Sequence, residues 1–418
     1  MLKMWSPKFG RGTVSWLLVC ALVANIRCYN EESSCADNNW HTLETPESAR
    51  ANCGAAFQNR CECRMACYDG RHQFVVKCID SKFTDTKPLE NLPNATEVLI
   101  FTGNYIEKLP WNVFGTRDIP GLRVIDMSSN KIREIHGKSY HHVQNVERLI
   151  LDFNELSLDS EIDHPRVFSN FASLLELHLT DAFEDAPKNG SSWTTRPTDL
   201  ATFLHDIFVN SNLTQLIKLH LEQNEISEFR DPNVFCDLPN LRDLHLGDNA
   251  LTALHFNLSC LHNLRFLDLQ RNHFTRVLDR DLRTLDTFAK HNQSVTIDLT
   301  SNPFECSCKL NPFIKWMRKT KISVRNENVL KCTEHGQKTL RPFQETKNCP
   351  SKLAASNSLR GSAAAITVLS LLLVALICAL IYVQREELKK KLGPVIESVN
   401  RRVRYTSIAT GEARENEV

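Results

Sequence analysis

The sequence has little glycine, little proline and almost no net charge. Its 418 residues include 14 glycines and 16 prolines, and 50 basic residues against 49 acidic ones leave a formal net charge of +1. The scarcity of glycine and proline excludes a collagen-like or proline-rich chain. The lack of excess positive charge argues against a nucleic-acid binder, because phosphate recognition needs concentrated positive charge.

Short catalytic motifs are also missing. The sequence contains no G-x-S-x-G, P-loop, GxGxxG or H-E-x-x-H frame. Cys306 and Cys308 form a C-x-C pair, but a zinc-thiolate site needs four convergent ligands, and disulfides are favoured in an oxidising compartment. We therefore predict no enzymatic activity, no cofactor and no metal.

Two apolar runs predict how the chain is placed in a cell. The first, Val14–Ala24, follows three basic residues and has the length of a signal-peptide core; an uncleaved N-terminal anchor is the alternative. The second, Ser362–Val383, has 22 uncharged residues, and at 1.5 Å per residue it would cover about 33 Å, enough for a bilayer. Four basic residues follow it within 385–391, which places the tail in the cytoplasm. We expect a single-pass type I protein of the plasma membrane.

The cysteines and glycosylation sequons agree with this topology. Removing Cys20, Cys28 and Cys378 from the 15 cysteines leaves twelve outside the cell, an even number that can pair fully. All five Asn-x-Ser/Thr sequons fall in the same region, where glycosylation occurs. They are Asn94, Asn189, Asn212, Asn257 and Asn292.

An internal repeat occupies the extracellular part. The frame L-x-x-L-x-L-x-x-N-x-L recurs eight times, with its Asn position at 104, 130, 154, 182, 224, 249, 272 and 302. Residues four and six of the frame alternate as on a short strand, so strands of successive repeats are predicted to stack in parallel. The Asn amide can bond backbone groups of its own turn and of the adjacent one. Ala182 occupies one Asn position, and we expect that turn to be loose.

The spacing between repeats gives the domain organisation. Most Asn-to-Asn intervals are 23–30 residues, but 42 residues separate Ala182 from Asn224, which predicts a surface insertion. The expected segments are a signal peptide 1–28, an N-flank 29–91, repeats one to four 92–182, the insertion 183–212, repeats five to eight 213–302, a C-flank 303–350, a stalk 351–361, a transmembrane helix 362–383 and a cytoplasmic tail 384–418.

Cysteine clusters lie where a solenoid needs covers over its apolar ends. Six precede the first repeat and four follow the last. Only Cys236 and Cys260 lie between them, at equivalent turns of adjacent repeats, so they could be bridged. This arrangement, with the C-flank NPFECSCKLNPFIKWMRK, resembles the extracellular leucine-rich repeat proteins with cysteine-rich N- and C-flanks. The resemblance implies an α/β repeat solenoid, a horseshoe with a parallel concave sheet and disulfide caps.

The resemblance also implies specific disulfides and an activity. The pairs are Cys53–Cys63, Cys61–Cys78, Cys35–Cys67, Cys306–Cys332 and Cys308–Cys349. A closer similarity within the family is carried by VLIFTGNYIEKLPWNVF, DNALTALH and the tail segment RYTSI. It implies non-enzymatic binding of an extracellular protein ligand or co-receptor at the cell surface, with modulation of Wnt-type signalling. The alternative is a structural cell-adhesion molecule that bridges cells or matrix.

Outward-facing strand positions form a candidate binding face. Parallel stacking would align His178, His220 and His245 in a column, with Glu176, Lys218 and Asp243 beside them. The column can act as a ligand patch whose charge changes between pH 5 and 7. The alternative is ordinary polar variation on a solvent-facing surface, and the insertion could interrupt the column after His178.

The predicted tail contains two short interaction motifs. Tyr405–Ile408 fits Y-x-x-Φ, the pattern that clathrin adaptors read on membrane cargo. The terminal residues Glu-Asn-Glu-Val offer an apolar side chain that a PDZ groove can bind as an added strand.

Overall fold

The structure is a computed structural model. It describes residues 50, 52–157, 167–184, 200–290, 294–334, 340–347, 349 and 352–383. The predicted signal peptide, Cys35, Asn189, Asn292, the tail 384–418 and its motif Tyr405–Ile408 lie outside these ranges. The chain divides into two units, Met1–Thr346 and Lys347–Val418.

The first unit is a solenoid built on one parallel sheet. Eleven strands pair in the order β1-β2-β3-β5-β7-β8-β9-β10-β11-β12-β14. The pairing is parallel throughout, except for the antiparallel hairpin of β1 and β2 at the N-terminal end. The strands are β1 (Glu62–Tyr68), β2 (Arg71–Lys77), β3 (Val98–Ile100), β5 (Val124–Asp126), β7 (Arg148–Ile150), β8 (Glu176–His178), β9 (Lys218–His220), β10 (Asp243–His245), β11 (Phe266–Asp268), β12 (Thr296–Asp298) and β14 (Ser323–Val324).

Smaller elements complete this unit. Strands β4 and β6 pair in a second sheet, and β13, β15 and β16 form a third. Short 3₁₀ helices lie at Ala55–Phe57, Lys87–Asn91, Leu258–Cys260 and Glu327–Val329. The remaining elements are β4 (Lys108–Leu109), β6 (Glu134–Ile135), β13 (Phe304–Glu305), β15 (Lys331–Thr333), β16 (Leu340–Pro342), α1 (Leu200–Phe208), α2 (Asp279–Lys290) and α3 (Asn311–Met317).

One continuous core runs along the solenoid beneath the sheet. The middle residue of each short strand points into it: Leu177, Leu219 and Leu244 are fully buried. The flanking residues of each strand point to the opposite side, as period-two alternation requires. We call that opposite side the concave face.

The Asn of the repeat frame bonds successive turns to one another. Nδ2 of Asn249 donates to the carbonyl of Leu221 in the preceding repeat at 2.8 Å, and its Oδ1 accepts from the backbone N–H groups of Asn224 and Ile226 at 3.0 Å. Each Asn thus joins two turns of buried backbone, as predicted from the sequence.

The turn that contains Ala182 is closed. The backbone N–H of Ala182 donates to Oδ1 of Asn224 at 3.0 Å, and its carbonyl accepts from the N–H of Leu156 at 2.8 Å. Ala182 itself is fully buried. The expectation of a loose turn is therefore wrong, because the neighbouring Asn224 and the backbone supply the bonds.

Part of the segment 183–212, which was expected to be a surface insertion, contributes side chains to the core. Helix α1 occupies its second half, and it buries Leu204, Ile207 and Phe208 in the core. The 3.6-residue spacing of these side chains gives the helix one apolar face, which packs under the sheet. The surface interpretation is therefore wrong for 200–208, and 185–199 lie outside the described residues.

Disulfides lie at both ends and in one central turn. Bonds join Cys53 to Cys63, Cys61 to Cys78, Cys236 to Cys260 and Cys306 to Cys332, with Cα–Cα distances of 5.2, 4.5, 5.3 and 5.1 Å. These are four of the six pairs named from the sequence. Cys67, Cys308 and Cys349 are disulfide-bonded too, and the pairs Cys35–Cys67 and Cys308–Cys349 remain predictions.

The C-terminal cap covers the last repeat with aromatic side chains. Phe304 and Phe313 stack at 5.8 Å between ring centroids, and Trp316 packs against Phe313 at 5.9 Å. Nε1 of Trp316 donates to Oδ1 of Asp286 on α2 at 2.7 Å. This contact fastens the cap to the final helix of the array.

Within its described residues, the second unit has one helix, α4 (Lys352–Val383). The transmembrane helix expected at 362–383 falls within its bounds. Among the described residues, no helix is both long and apolar enough to cross a membrane. The predicted span remains a proposal.

Candidate binding face

The six side chains predicted for the binding face come together on three adjacent strands. Register pairs Glu176 of β8 with Lys218 of β9, and Lys218 with Asp243 of β10. The same register pairs His178 with His220, and His220 with His245. The long interval between repeats four and five therefore does not interrupt the alignment, because β8 and β9 pair directly.

His178, His220 and His245, which we call the histidine column, stack as parallel rings. Ring centroids are 4.2 Å apart for His178 and His220 and 4.1 Å apart for His220 and His245. Their side chains are 21%, 19% and 20% exposed. About a fifth of each side chain in the column is therefore open to a partner.

Ion pairs hold the neighbouring row in place. Nζ of Lys218 lies 2.8 Å from Oε1 of Glu176, and Nε of Arg148 lies 2.7 Å from Oε2 of the same carboxylate. Arg148 also pairs with Asp69, in the N-terminal hairpin turn. Glu176 is thus clamped from two sides, and the row is linked to the N-terminal cap.

The electrostatics of Glu176 follow from these partners. Nε2 of His178 lies 3.6 Å from Oε2 of Glu176. The His178 imidazole, together with Lys218 and Arg148, holds the pKa of Glu176 well below its ordinary value, although burial opposes this. The carboxylate therefore stays charged in any physiological compartment.

Glu222, which the sequence reasoning missed, lies at the centre of the face. Its Oε1 is 3.1 Å from Nδ1 of His220 and 3.5 Å from Nδ1 of His245. Burial alone would raise the pKa of Glu222, but His220 and His245 outweigh it and hold this pKa below its ordinary value. The signal that could have revealed it is the His-x-Glu spacing, which places both side chains on one side of an extended segment.

The pKa of His245 differs from the sequence-based expectation. Burial lowers it to about 4, with the charge of His220 acting in the same direction, while Glu222 and Asp243 oppose the shift. Ionisation of His245 therefore falls below the pH 5–7 window predicted for the column. The cause is the stacking of one ring against the next, which removes water from the imidazole.

The face continues onto the following repeats as a row of carboxylates. Arg265 forms two contacts with Asp243, at 3.1 and 2.6 Å. Oδ2 of Asp268 lies 4.0 Å from Nδ1 of His245, and Nε2 of Gln270 donates to the same oxygen at 2.9 Å. Burial raises the pKa of Asp268.

At the N-terminal end of the sheet, the concave face is apolar. Ala66, Val75, Val98 and Val124 form a small buried cluster separate from the main core, with Tyr68 and Ile100 packed against it. The N-terminal hairpin thus covers the first strands. The sequence reasoning did not identify this cover, because no frame position specifies it.

The described sequons lie away from the strands. Asn94 and Asn212 are exposed. Asn257 is half-buried, and its Nδ2 donates to Oδ1 of Asn233 at 3.0 Å. All three are on connecting segments, so glycans at these positions would not start from the concave face.

Comparison with known proteins agrees with the geometry. The leucine rich repeat family profile matches residues 214–274. Trophoblast glycoprotein of Macaca fascicularis is 24% identical over 280 residues, which are 65% of this chain and 63% of that protein. Toll-like receptor 5 of Homo sapiens is 33% identical over 119 residues, 28% of this chain and 12% of the receptor. Human lumican is 26% identical over 222 residues, 50% of this chain and 62% of lumican.

The solved structures show the same fold. The crystal structure of human trophoblast glycoprotein, also titled Wnt-activated inhibitory factor 1, has a TM-score of 0.52 at 24% identity and covers 62% of this chain and 87% of that one. The chain spans less than two thirds of the length of the curated relatives named above. The sequence-based resemblance is confirmed: the chain has the leucine-rich repeat horseshoe fold and is similar to trophoblast glycoprotein.

Proposed function

We propose that the chain is a non-enzymatic binding glycoprotein of the cell surface that modulates a Wnt-type receptor pathway through its leucine-rich repeats. The observation that carries the binding role is the ordered row of ionic and imidazole groups across β8, β9 and β10. The pathway is proposed from the similarity to a protein titled Wnt-activated inhibitory factor 1.

The concave face suits a protein ligand because its side chains are already fixed. Glu176 is held by Lys218 and Arg148, and Asp243 is held by Arg265. Fixed side chains lose little conformational entropy when a partner binds. Their pattern of charges gives specificity and a faster encounter with a complementary surface.

The proposed topology places this face outside the cell. It combines the signal peptide 1–28, the single span 362–383 and the cytoplasmic tail 384–418, with a clathrin adaptor at Tyr405–Ile408 or a PDZ domain as tail partners. The bonded cysteines support an oxidising compartment for the repeats.

Structural cell adhesion is the second candidate. It is favoured by large aromatic side chains that are exposed outside the histidine column, namely Tyr105 at 53%, Trp111 at 60% and Phe153 at 53%. Such side chains are enriched where proteins contact one another. Adhesion would use this surface rather than the column.

A pair of glycan insertions tests the first proposal. Glu176→Asn with His178→Thr creates a sequon on the concave face, and Glu228→Asn with Arg230→Thr creates one at two exposed positions of a connecting segment. Both full-length chains are expressed in cells that carry a Wnt reporter, and surface labelling confirms delivery and glycan occupancy.

We expect the concave glycan to abolish modulation of the reporter and the connecting-segment glycan to leave it intact, because glycans exclude protein partners. If the connecting-segment glycan abolishes modulation and the concave glycan leaves it intact, the binding surface is not the concave face. If the unmodified chain leaves the reporter unchanged but aggregates cells in trans, the result would favour adhesion over signalling.

A further inference from the structure

Three ligand atoms of the concave face converge between β9 and β10. They belong to His220, Glu222 and His245, and one imidazole nitrogen of each histidine and a carboxylate oxygen of Glu222 all lie within 4.8 Å of one another. Oε1 of Glu222 is 3.1 Å from one imidazole nitrogen and 3.5 Å from the other. Both Nδ1 atoms therefore lie near one carboxylate oxygen, while the two rings stack with 12° between their planes.

The two carboxylate–imidazole separations are close to the edges of a metal coordination shell, and the stacked rings of His220 and His245 would turn about χ2 to direct both Nδ1 atoms at one ion. In a tetrahedral zinc site with ligand bonds of about 2.0–2.1 Å, any two ligand atoms lie about 3.3–3.4 Å apart. A fourth candidate oxygen, Oδ2 of Asp268, lies 4.0 Å from Nδ1 of His245. The donor set of imidazole and carboxylate suits zinc and related transition ions rather than calcium or magnesium.

A second layer of hydrogen bonds orients the two carboxylates. The hydroxyl of Thr180 donates to Oε2 of Glu222 at 3.2 Å, which leaves Oε1 directed at the histidines. The backbone N–H and the side-chain amide of Gln270 both donate to Asp268, at 3.0 and 2.9 Å. Bonds of this kind also occur at Asp126 and Asp298 in other repeats, and around a bound ion they would fix the orientation of the ligands.

Space is kept open beside the fourth candidate ligand. A Cβ at Gly247 would lie 3.2 Å from Oδ2 of Asp268. Glycine at this position therefore allows that carboxylate to approach the histidines without a side-chain contact.

We propose that His220, Glu222 and His245 bind one divalent transition-metal ion of the zinc class, with Asp268 as the fourth ligand. The ion would join adjacent repeats across the concave face. The proposal does not depend on the signalling role, and it revises the sequence-based expectation of no metal, which rested on the cysteines and on the absence of an H-E-x-x-H frame.

The test uses the full-length chain without a histidine tag, purified in detergent and stripped with a chelator. Zn²⁺ affinity is measured by competition with a chelating dye, and Co²⁺ is used to record the visible absorption of a tetrahedral site. The variants are His245→Gln, Glu222→Gln and Asp268→Asn. The matched control is His178→Gln, which removes a ring of the same column that is not a proposed ligand.

We expect the native chain to bind one equivalent more than the triple variant His220→Gln, Glu222→Gln, His245→Gln, which measures binding elsewhere on the chain. His245→Gln and Glu222→Gln should each weaken affinity at least about tenfold, as loss of a metal-site contact does. His178→Gln should leave affinity and the Co²⁺ spectrum unchanged.

The proposal is overturned if the native chain and the triple variant bind equally, or if His178→Gln weakens binding as much as His245→Gln. Circular dichroism checks the fold of each variant. If His245→Gln does not fold, Glu222→Gln decides, because it preserves the shape of the side chain and removes only its charge.

Discussion

The two sides of the parallel sheet are formed by the same strands, but they carry different kinds of side chain. On β10, Leu244 points inward and is fully buried, while His245 on the outward side is one fifth exposed. Inward positions repeat along the array as leucine or a close equivalent. Outward positions change from valine near the N-terminal hairpin to histidine and aspartate further along.

This difference follows from how neighbouring repeats pack against one another. Every inward side chain must fill the same space between neighbouring repeats, so the core selects one shape. An outward side chain has to match only its neighbours on adjacent strands and the solvent. The outward side is therefore free to carry binding chemistry while the inward side maintains the fold.

Leu244→Ala should give the largest effect, because it removes buried volume that the stacked repeats cannot refill. The expected loss is about 2–5 kcal/mol of unfolding free energy, measured by denaturant titration of the full-length chain. Lys218→Gln on the outward side is the control. Equal losses for the two variants would contradict the distinction between the sides.

Asn249→Ala should cost about 2–4 kcal/mol, because the backbone N–H groups of Asn224 and Ile226 lose their acceptor inside the core. Thermal unfolding followed by circular dichroism measures the loss. Asn263→Ala is the matched control, since Nδ2 of Asn263 makes one exposed bond to Pro239. A melting temperature as high as that of the control would show that the amide ladder does not stabilise the array.

The contribution of His245, on the outward side, should appear in the way stability depends on pH. The folded pKa of His245 is about 4 and its ordinary value is 6.5, so the unfolded chain binds more protons between these values. The contribution of His245 to stability is therefore complete above pH 6.5 and falls as the pH drops through 4, by about 3 kcal/mol at most. Burial is the main cause of this pKa shift, and the titratable groups that face His245 are His178, His220, Glu222, Asp243 and Asp268, with the ring of Phe266 beside them.

Melting temperature recorded against pH in chelator checks this expectation. His245→Gln should flatten the decline between pH 6.5 and 4, and His273→Gln, at an exposed position, should not. An unchanged profile in His245→Gln would exclude His245 as the source.

Lys218→Gln should have the smallest effect. Its Nζ is one of two cationic partners of Glu176, and Arg148 remains after the change. Partly exposed ion pairs contribute about 0–1 kcal/mol, so we expect a loss in that range, measured by denaturant titration at low and high salt. A loss above that range would indicate that the ionic row, and not only the core, stabilises the repeats.

Sequence reasoning reached the parts of the site that follow from the repeat. Alignment of His178, His220 and His245 was predicted because parallel strands place equivalent frame positions side by side. Glu222 was not assigned to this cluster, since its side chain reaches the histidines from beyond the end of β9, whereas Asp268 pairs in register with His245 on β11. Helix α1 was taken as a surface segment because its apolar spacing is short and follows a polar stretch.

The sequence alone determined the repeat, its inward leucines and the Asn positions that bond successive turns, because these follow from local spacing. It also determined which cysteines lie at equivalent positions. Only the tertiary structure decided the distances among His220, Glu222, His245 and Asp268, and the lowered pKa of His245. The reason is that contact between repeats depends on how neighbouring side chains stack across strands, and residues 20 or more positions apart come within bonding distance only after the sheet has formed.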